Sequence, residues 1–412
     1  MRIRPLNEQV VVVFGASSGI GRETAHRFAK KGAKVVAAAR TGEALDSLAE
    51  EIRQAGGECH TVVADAADFD QVKAVAEAAY ERYGRLDTWA HVAAVAVYAK
   101  VMDITPSEFE QVIRVTLLGP VHGAKAAIPY MLRNDGGYGG AFICVTSVEA
   151  VRALPYHSSY AAAKHGVHGF LTTLRMEMEH DGLPIRVTEI QPASIDTPFF
   201  DKAKTKIGVR PQGAPPVYAP QLVADTIVAA AEQNRRELIV GGAGQGLAIG
   251  QRLSPRIMDA LMKIVAFEGQ KTSIPKGPDD ENNLYGPVQG LEQVEGSITG
   301  NAFATASRRV TDVTTAASQP LRSNPVVTGV LLGTAALATG LLLARSAARA
   351  NGERENGDGN GSYPSANGLV GRTVDAQYGP GRPDPLHAGD SPVALSGRDA
   401  TRTDTLSYDA GV

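Results

Sequence analysis

Apolar positions in the first 250 residues fall in short, nearly unbroken runs rather than in alternation. The runs cover residues 10–14, 34–39, 60–64, 86–92, 141–145, 185–190 and 237–240. Unbroken apolar runs of strand length mark parallel strands covered on both faces. Between them, apolar positions recur at helical spacing over residues 19–31, 43–55, 68–82, 106–133, 158–181 and 220–234. Thr105-Pro106-Ser107-Glu108 is a helix start: Thr caps, Pro suits the first helical position, and Glu stands three residues after the cap. Strand and helix alternate throughout, and right-handed crossovers then give an α/β fold with a doubly wound, seven-stranded parallel sheet.

The pattern changes from about residue 271, where Pro, Gly, Asn, Asp and Gln dominate and no strong period follows. Residues 326–344, VVTGVLLGTAALATGLLLA, then carry no charge. At a rise of about 1.5 Å per residue such a segment is long enough to cross a bilayer core. It is expected to be a transmembrane helix, the alternative being a buried core helix. Arginines flank it on both sides (Arg322, then Arg345 and Arg349), so the positive-inside rule does not decide the side of the tail. Residues 345–412 are polar and poor in aromatics, and such a tail is expected to be disordered because it cannot offset its ordering entropy. The chain therefore divides into a dinucleotide-binding catalytic domain (1–250), an extension (251–325), a membrane span (326–344) and a tail (345–412). The apolar run at 10–14 is too short for a signal-peptide core. The catalytic domain is accordingly expected in the cytoplasm, anchored near the C-terminus.

A net charge of −3 argues against a nucleic-acid binder, because little would neutralise phosphates in bulk. The two cysteines, Cys59 and Cys144, sit far apart in apolar runs and suggest neither a disulfide framework nor a metal site.

The first strand runs into Gly15-Ala16-Ser17-Ser18-Gly19-Ile20-Gly21 and then a helix. Glycines there let the backbone approach a pyrophosphate, and the helix N-terminus offers free N–H groups. At the end of the second strand stands Arg40, where a carboxylate would hold the ribose diol of NAD and a guanidinium pairs with the 2′-phosphate of NADP. Arg40, with Ser17 in support, favours NADP(H) over NAD(H).

The Gly-x-x-x-Gly-x-Gly spacing, followed by Ser147 and by Tyr160-Ala161-Ala162-Ala163-Lys164, resembles the short-chain dehydrogenase/reductase family over residues ~8–250. The resemblance implies an oxidoreductase that interconverts a carbonyl and an alcohol, with NAD(P) as hydride acceptor in the oxidative direction. Tyr160 would be the acid–base. Lys164, one helical turn on, would stabilise its phenolate and so lower its pKa, and would bind the nicotinamide ribose. Ser147, 13 residues before the tyrosine, would hold the substrate oxygen. The cofactor contacts implied are Gly15, Ser17, Ser18, Gly19, Ile20, Gly21, Arg40, Asp65 at the adenine, Ala93, Tyr160, Lys164, Pro192, and Thr197 at the carboxamide. His157 and His165 flank the helix start and are read as structural or surface residues.

The chain departs from the family pattern at four places. Phe14 replaces a Thr, His91-Val92-Ala93-Ala94 replaces Asn-Asn-Ala-Gly, Ala193 replaces a Gly, and Thr116 stands at the helix Asn that supports proton relay. Thr116 is the catalytic candidate with the least reach. Residues 198–220 are expected to form a lid. Phe199 and Phe200 within it, together with the apolar span, suggest an apolar carbonyl or alcohol substrate. The family also implies a homodimer or homotetramer built on the helices at 106–133 and 158–181. The altered motifs and long tail leave a second reading: a non-catalytic NADP(H)-binding or scaffold protein tethered to a membrane.

Overall fold

The computed structural model describes residues 2–297. Its strands are β1 (Val10–Phe14), β2 (Lys34–Ala39), β3 (Glu58–Val63), β4 (Thr88–His91), β5 (Val97–Tyr98), β6 (Gly140–Val145), β7 (Ile185–Pro192), β8 (Lys204–Thr205), β9 (Val209–Pro211), β10 (Glu237–Val240) and β11 (Lys271–Pro275). Seven of them form one sheet in the order β10-β7-β6-β4-β1-β2-β3, and every pairing in it is parallel. This is the Rossmann arrangement expected from the apolar runs. The strand order reverses between β1 and β4, and the crevice at their carboxyl ends is where such sheets bind ligands.

Successive residues of β1 point to opposite faces, as the pleat requires. Val10, Val12 and Phe14 join one core, with Val72, Ala76, Ala124 and Val167. These come from helices α3 (Phe69–Tyr83), α5 (Gly119–Met131) and α6 (Ser158–His180). Val11 and Val13 join the other core, with Phe28, Leu45 and Ile227. Those come from α1 (Gly19–Lys30), α2 (Gly42–Gln54) and α8 (Pro220–Glu232). Each valine so buried contributes about 1.5–3 kcal/mol, which is why the strand reads as unbroken Val.

The helix expected over residues 106–133 is interrupted. Its first part, α4 (Pro106–Ile113), starts on the anticipated capping box at Thr105 and Glu108. A π-helical turn, Arg114–Leu118, then separates it from α5, with the Gly119 N–H bonding five residues back to the Arg114 carbonyl. Pro120 follows at once, lacks an N–H, and would crowd the carbonyl four residues earlier in a regular helix.

The segment at 198–220 is fastened at two points. It carries a short helix, α7 (Phe199–Lys202). Strand β8 pairs with β5, and β9 pairs with β11. Beyond residue 250 the chain continues in helices. After α9 (Gly242–Leu253), α10 (Pro255–Gly269) packs Met258, Met262 and Ala266 against Leu154 and Leu247. Residues 281–297 then return across the sheet's carboxyl end, where the Asn283 N–H donates to the Lys202 carbonyl and the Gly296 N–H to that of Asp196. No helix among the described residues is long and apolar enough to cross a membrane. The span expected at 326–344 and the tail at 345–412 lie outside the described residues, as does the extension beyond residue 297.

Candidate active site

A cavity runs along the carboxyl ends of β1, β4, β6 and β7. At one end is the glycine loop. Gly15 (φ +98°) and Gly19 (φ +57°) adopt left-handed conformations that strain other residues. A side chain at Gly21 would place its Cβ 2.0 Å from the Gly15 carbonyl oxygen, so α1 meets its own loop only through glycine. Gly15, Ser17, Ser18, Gly19, Ile20 and Gly21 all line the cavity, as the spacing predicted. The Gly19 N–H donates to the Gln293 carbonyl at 3.0 Å. Lys202 Nζ donates to Ser18 Oγ at 2.9 Å, and burial pulls that lysine down to about 8. The loop thus sets the Lys202 ammonium beside a helix N-terminus, a setting suited to phosphate.

Arg40 and Asp65 line the same end. Arg40 Nη2 donates to the Asn283 carbonyl at 2.7 Å, while Nη1 is buried with no hydrogen-bond partner. Burial depresses the guanidinium, and Asp65 opposes that. A buried cationic N–H without a partner is costly, and a phosphate would satisfy it. Asp65 also closes its own turn, with Oδ1 accepting from the Ala67 N–H at 2.9 Å. Ala93 presses on the loop from β4: a Cβ at Gly15 would lie 2.6 Å from its nitrogen.

The other end gathers the predicted catalytic side chains. Ser147 follows β6, and its Oγ accepts from the Glu149 N–H at 3.1 Å. Tyr160 sits in the first turn of α6, with Lys164 one turn further, and both are buried. Lys164 Nζ donates to the Val145 carbonyl at 2.9 Å and stands 5.4 Å from the Tyr160 ring centre. The sequence led us to expect a lowered tyrosine pKa. Instead, burial, reinforced by the charge of Glu149, holds the phenol well above its ordinary value, and the Ser147 hydroxyl pulls the other way. Tyr160 is therefore a protonated donor at neutral pH. Burial lowers Lys164 to about 8. Its charged form, which favours the phenolate left after proton donation, is present below that value and lost above it. We expect kcat/KM for reduction to be level up to about pH 8 and to fall above it; a profile level to pH ~10, near the free lysine value, would disconnect Lys164 from the reaction. Pro192 and Thr197 also line the cavity.

Thr116 is not brought to this cavity. It is buried, and its hydroxyl donates to the Val95 carbonyl and accepts from the Val95 N–H, both at 3.0 Å. It ties the π turn to the chain after β4, and no free donor remains for a relay. Two other departures from the family pattern explain each other. The Phe14 ring stacks on His91 at 5.2 Å with only 2° between planes. Room for them comes from helix glycines, since a Cβ at Gly123 would lie 2.9 Å from His91 Nδ1. Complete burial drives His91 down to about 3, so it is neutral. Its Nδ1 accepts from the Trp89 indole at 3.4 Å.

Several lining residues escaped sequence reasoning: Tyr98, Glu149, Lys202, Asn283, Pro287 and Val288. Only Glu149, an acid two residues after Ser147, carried a visible signal. His157, read as structural, also lines the cavity. His165, by contrast, caps its own helix carbonyl at Ala161 and is structural as expected.

The family model described as short chain dehydrogenase matches residues 9–208. An uncharacterized oxidoreductase, YxnA, of Bacillus subtilis (strain 168) is 35% identical over 337 residues, covering 82% of this chain and 92% of the relative. Dehydrogenase/reductase SDR family member 7B of Bos taurus is 32% identical over 275 residues, or 64% of this chain and 83% of the relative. Among solved structures, a short chain dehydrogenase/reductase from Burkholderia phymatum in complex with NAD superposes with a TM-score of 0.56. It is 23% identical and covers 62% of this chain and 96% of its own, a likeness of fold. With its seven-stranded sheet, glycine loop and serine–tyrosine–lysine cavity, the chain belongs to the short-chain dehydrogenase/reductase family and is an oxidoreductase of that type.

Proposed function

We propose that the protein is an NADP(H)-dependent reductase or dehydrogenase of a carbonyl–alcohol pair, with Tyr160 as its acid–base. The observation that carries this reading is one cavity with Ser147, Tyr160 and Lys164 at one end and an unpartnered Arg40 nitrogen at the other. The bound nicotinamide supplies hydride in reduction and accepts it in oxidation. Ser147 would hold the substrate oxygen, and the Tyr160 hydroxyl would give its proton to the oxygen as negative charge develops there. Lys164 would stabilise the resulting phenolate and hold the nicotinamide ribose. With the Thr116 hydroxyl committed to Val95, proton resupply to this group runs by some route other than that side chain.

Arg40, Ser17 and Lys202 would hold the phosphates, and Asp65 the adenine. Equilibrium titration of the full chain with NADPH and NADH, in wild type and Arg40→Ala, tests the preference. Loss of charge-assisted hydrogen bonds to a phosphate is expected to weaken NADPH by about 10–100-fold and NADH far less. Equal losses for both nucleotides would remove Arg40 from the phosphate site. The uncharged segment at 326–344 supports attachment of the enzyme to a membrane, which salt- and carbonate-resistant sedimentation with membranes, abolished by deleting that segment, would establish.

A further inference from the structure

Proton donation by Tyr160 leaves one corner of its cavity unused. Part of the wall around Tyr160 is aromatic: the Phe199 ring lies 5.7 Å from that of Tyr160, and the Phe200 ring lies 6.5 Å from that of Tyr98. The neighbouring part is polar. His157 Nδ1 and Glu149 Oε1 are 2.6 Å apart, and the Tyr98 ring meets the His157 ring edge-on at 4.2 Å. The His157 ring in turn stands 5.8 Å from that of Tyr160. All three residues are buried, and all three line the cavity.

Each of the three keeps one polar atom buried without a hydrogen-bond partner: Glu149 Oε2, His157 Nε2 and Tyr98 Oη. Leaving such an atom without a hydrogen bond is costly. Three such atoms, all on cavity-lining residues near the Tyr160 ring, are partners that a polar group of a bound ligand could use.

The chemistry of the three atoms selects the ligand group. Glu149 Oε2 accepts only, and Tyr98 Oη donates. Burial keeps that phenol protonated. In the tautomer that carries its hydrogen on Nδ1, His157 donates to Glu149 Oε1, orients that carboxylate and offers Nε2 as a further acceptor. An anion would be repelled by Glu149, and an ammonium would leave the Tyr98 donor unmet. Of these groups only a hydroxyl can accept from the phenol while donating to one of the two acceptors, the carboxylate or His157 Nε2.

We propose that Glu149, His157 and Tyr98 form a subsite for a second hydroxyl of the substrate. The preferred substrate is then a hydroxyketone, or the diol derived from it, with an apolar remainder against Phe199 and Phe200. This rests on the reductase reading and narrows its substrate class.

The test uses the full chain with saturating NADPH and matched ketones: 2-hydroxyacetophenone against acetophenone, and the corresponding pair of eight-carbon alkyl ketones. The hydroxyketones are expected to show kcat/KM at least about 10-fold higher, since a site built to bond a hydroxyl rejects the analogue lacking it. Tyr98→Phe and Glu149→Gln should each bring that ratio towards one, chiefly through KM for the hydroxyketone. Should Glu149→Gln not fold, the smaller change Tyr98→Phe decides. A wild-type ratio near one, or a ratio that the substitutions do not move, overturns the subsite while leaving the reductase. NADPH binding without turnover of any of the ketones overturns the reductase reading, and the subsite with it.

Discussion

Replacing Tyr160 with phenylalanine should lower kcat/KM for carbonyl reduction by about 10²–10⁴-fold, the range for loss of a positioned general acid. The change removes one oxygen and keeps a buried ring that packs against Phe199 and His157. The fold has little reason to respond, and the loss should appear in the chemical step. Single-turnover NADPH oxidation under saturating ketone isolates that step from binding. A Tyr160→Phe rate close to the wild-type value would mean that another group delivers the proton. One alternative is His157, hydrogen-bonded to Glu149 and lining the same cavity. The two readings also differ in pH response. A phenol held above its ordinary value stays a donor through the neutral range, leaving the alkaline limb to Lys164 near 8.

Gly21→Ala should be nearly as damaging, for a steric reason. Its new Cβ would lie 2.0 Å from the Gly15 carbonyl oxygen and 3.2 Å from the Ala16 Cα, both backbone atoms. Neither atom can move without shifting the loop or the first turn of α1. Overpacking of this kind costs about 1–3 kcal/mol or more, or several degrees in Tm for a domain of this size. The same shift displaces the backbone of the glycine loop that lines the end of the cavity proposed for the phosphates. We expect NADPH affinity to drop by at least about tenfold, the result of losing one or two charge-assisted hydrogen bonds. Calorimetry of nucleotide binding with a parallel melting curve measures both effects. Unchanged affinity and Tm in Gly21→Ala would show that α1 can slide along the sheet without consequence, and would place the phosphate elsewhere.

The two substitutions probe features that differ in how they are written in the chain. The glycine loop and the tyrosine–lysine pair are local. Their residues lie within seven and five positions of each other, so helix geometry and turn sterics place them without reference to the rest of the molecule. The strands are legible for a related reason. Burial on both faces demands an unbroken apolar run, and β1, β2 and β10 keep the boundaries that their runs predict. The helix over 106–133 was misread at its centre because the π turn answers to Pro120 and to the tie between Thr116 and Val95.

The sequence by itself thus determined the parallel sheet, the nucleotide loop and the acid–base pair, because period, spacing and backbone sterics act over a few residues. Only the tertiary structure decided which polar groups are buried without partners. Glu149 and His157 come from opposite ends of a turn, Tyr98 from a strand about fifty residues earlier, and Asn283 from beyond the sheet. Against the family pattern Phe14 and His91 are two separate departures, yet stacking makes them one packed unit. The same holds for Tyr160, whose neighbouring lysine predicted a lowered pKa and whose burial raised it. Desolvation depends on everything that surrounds a group, and no local pattern of residues records that.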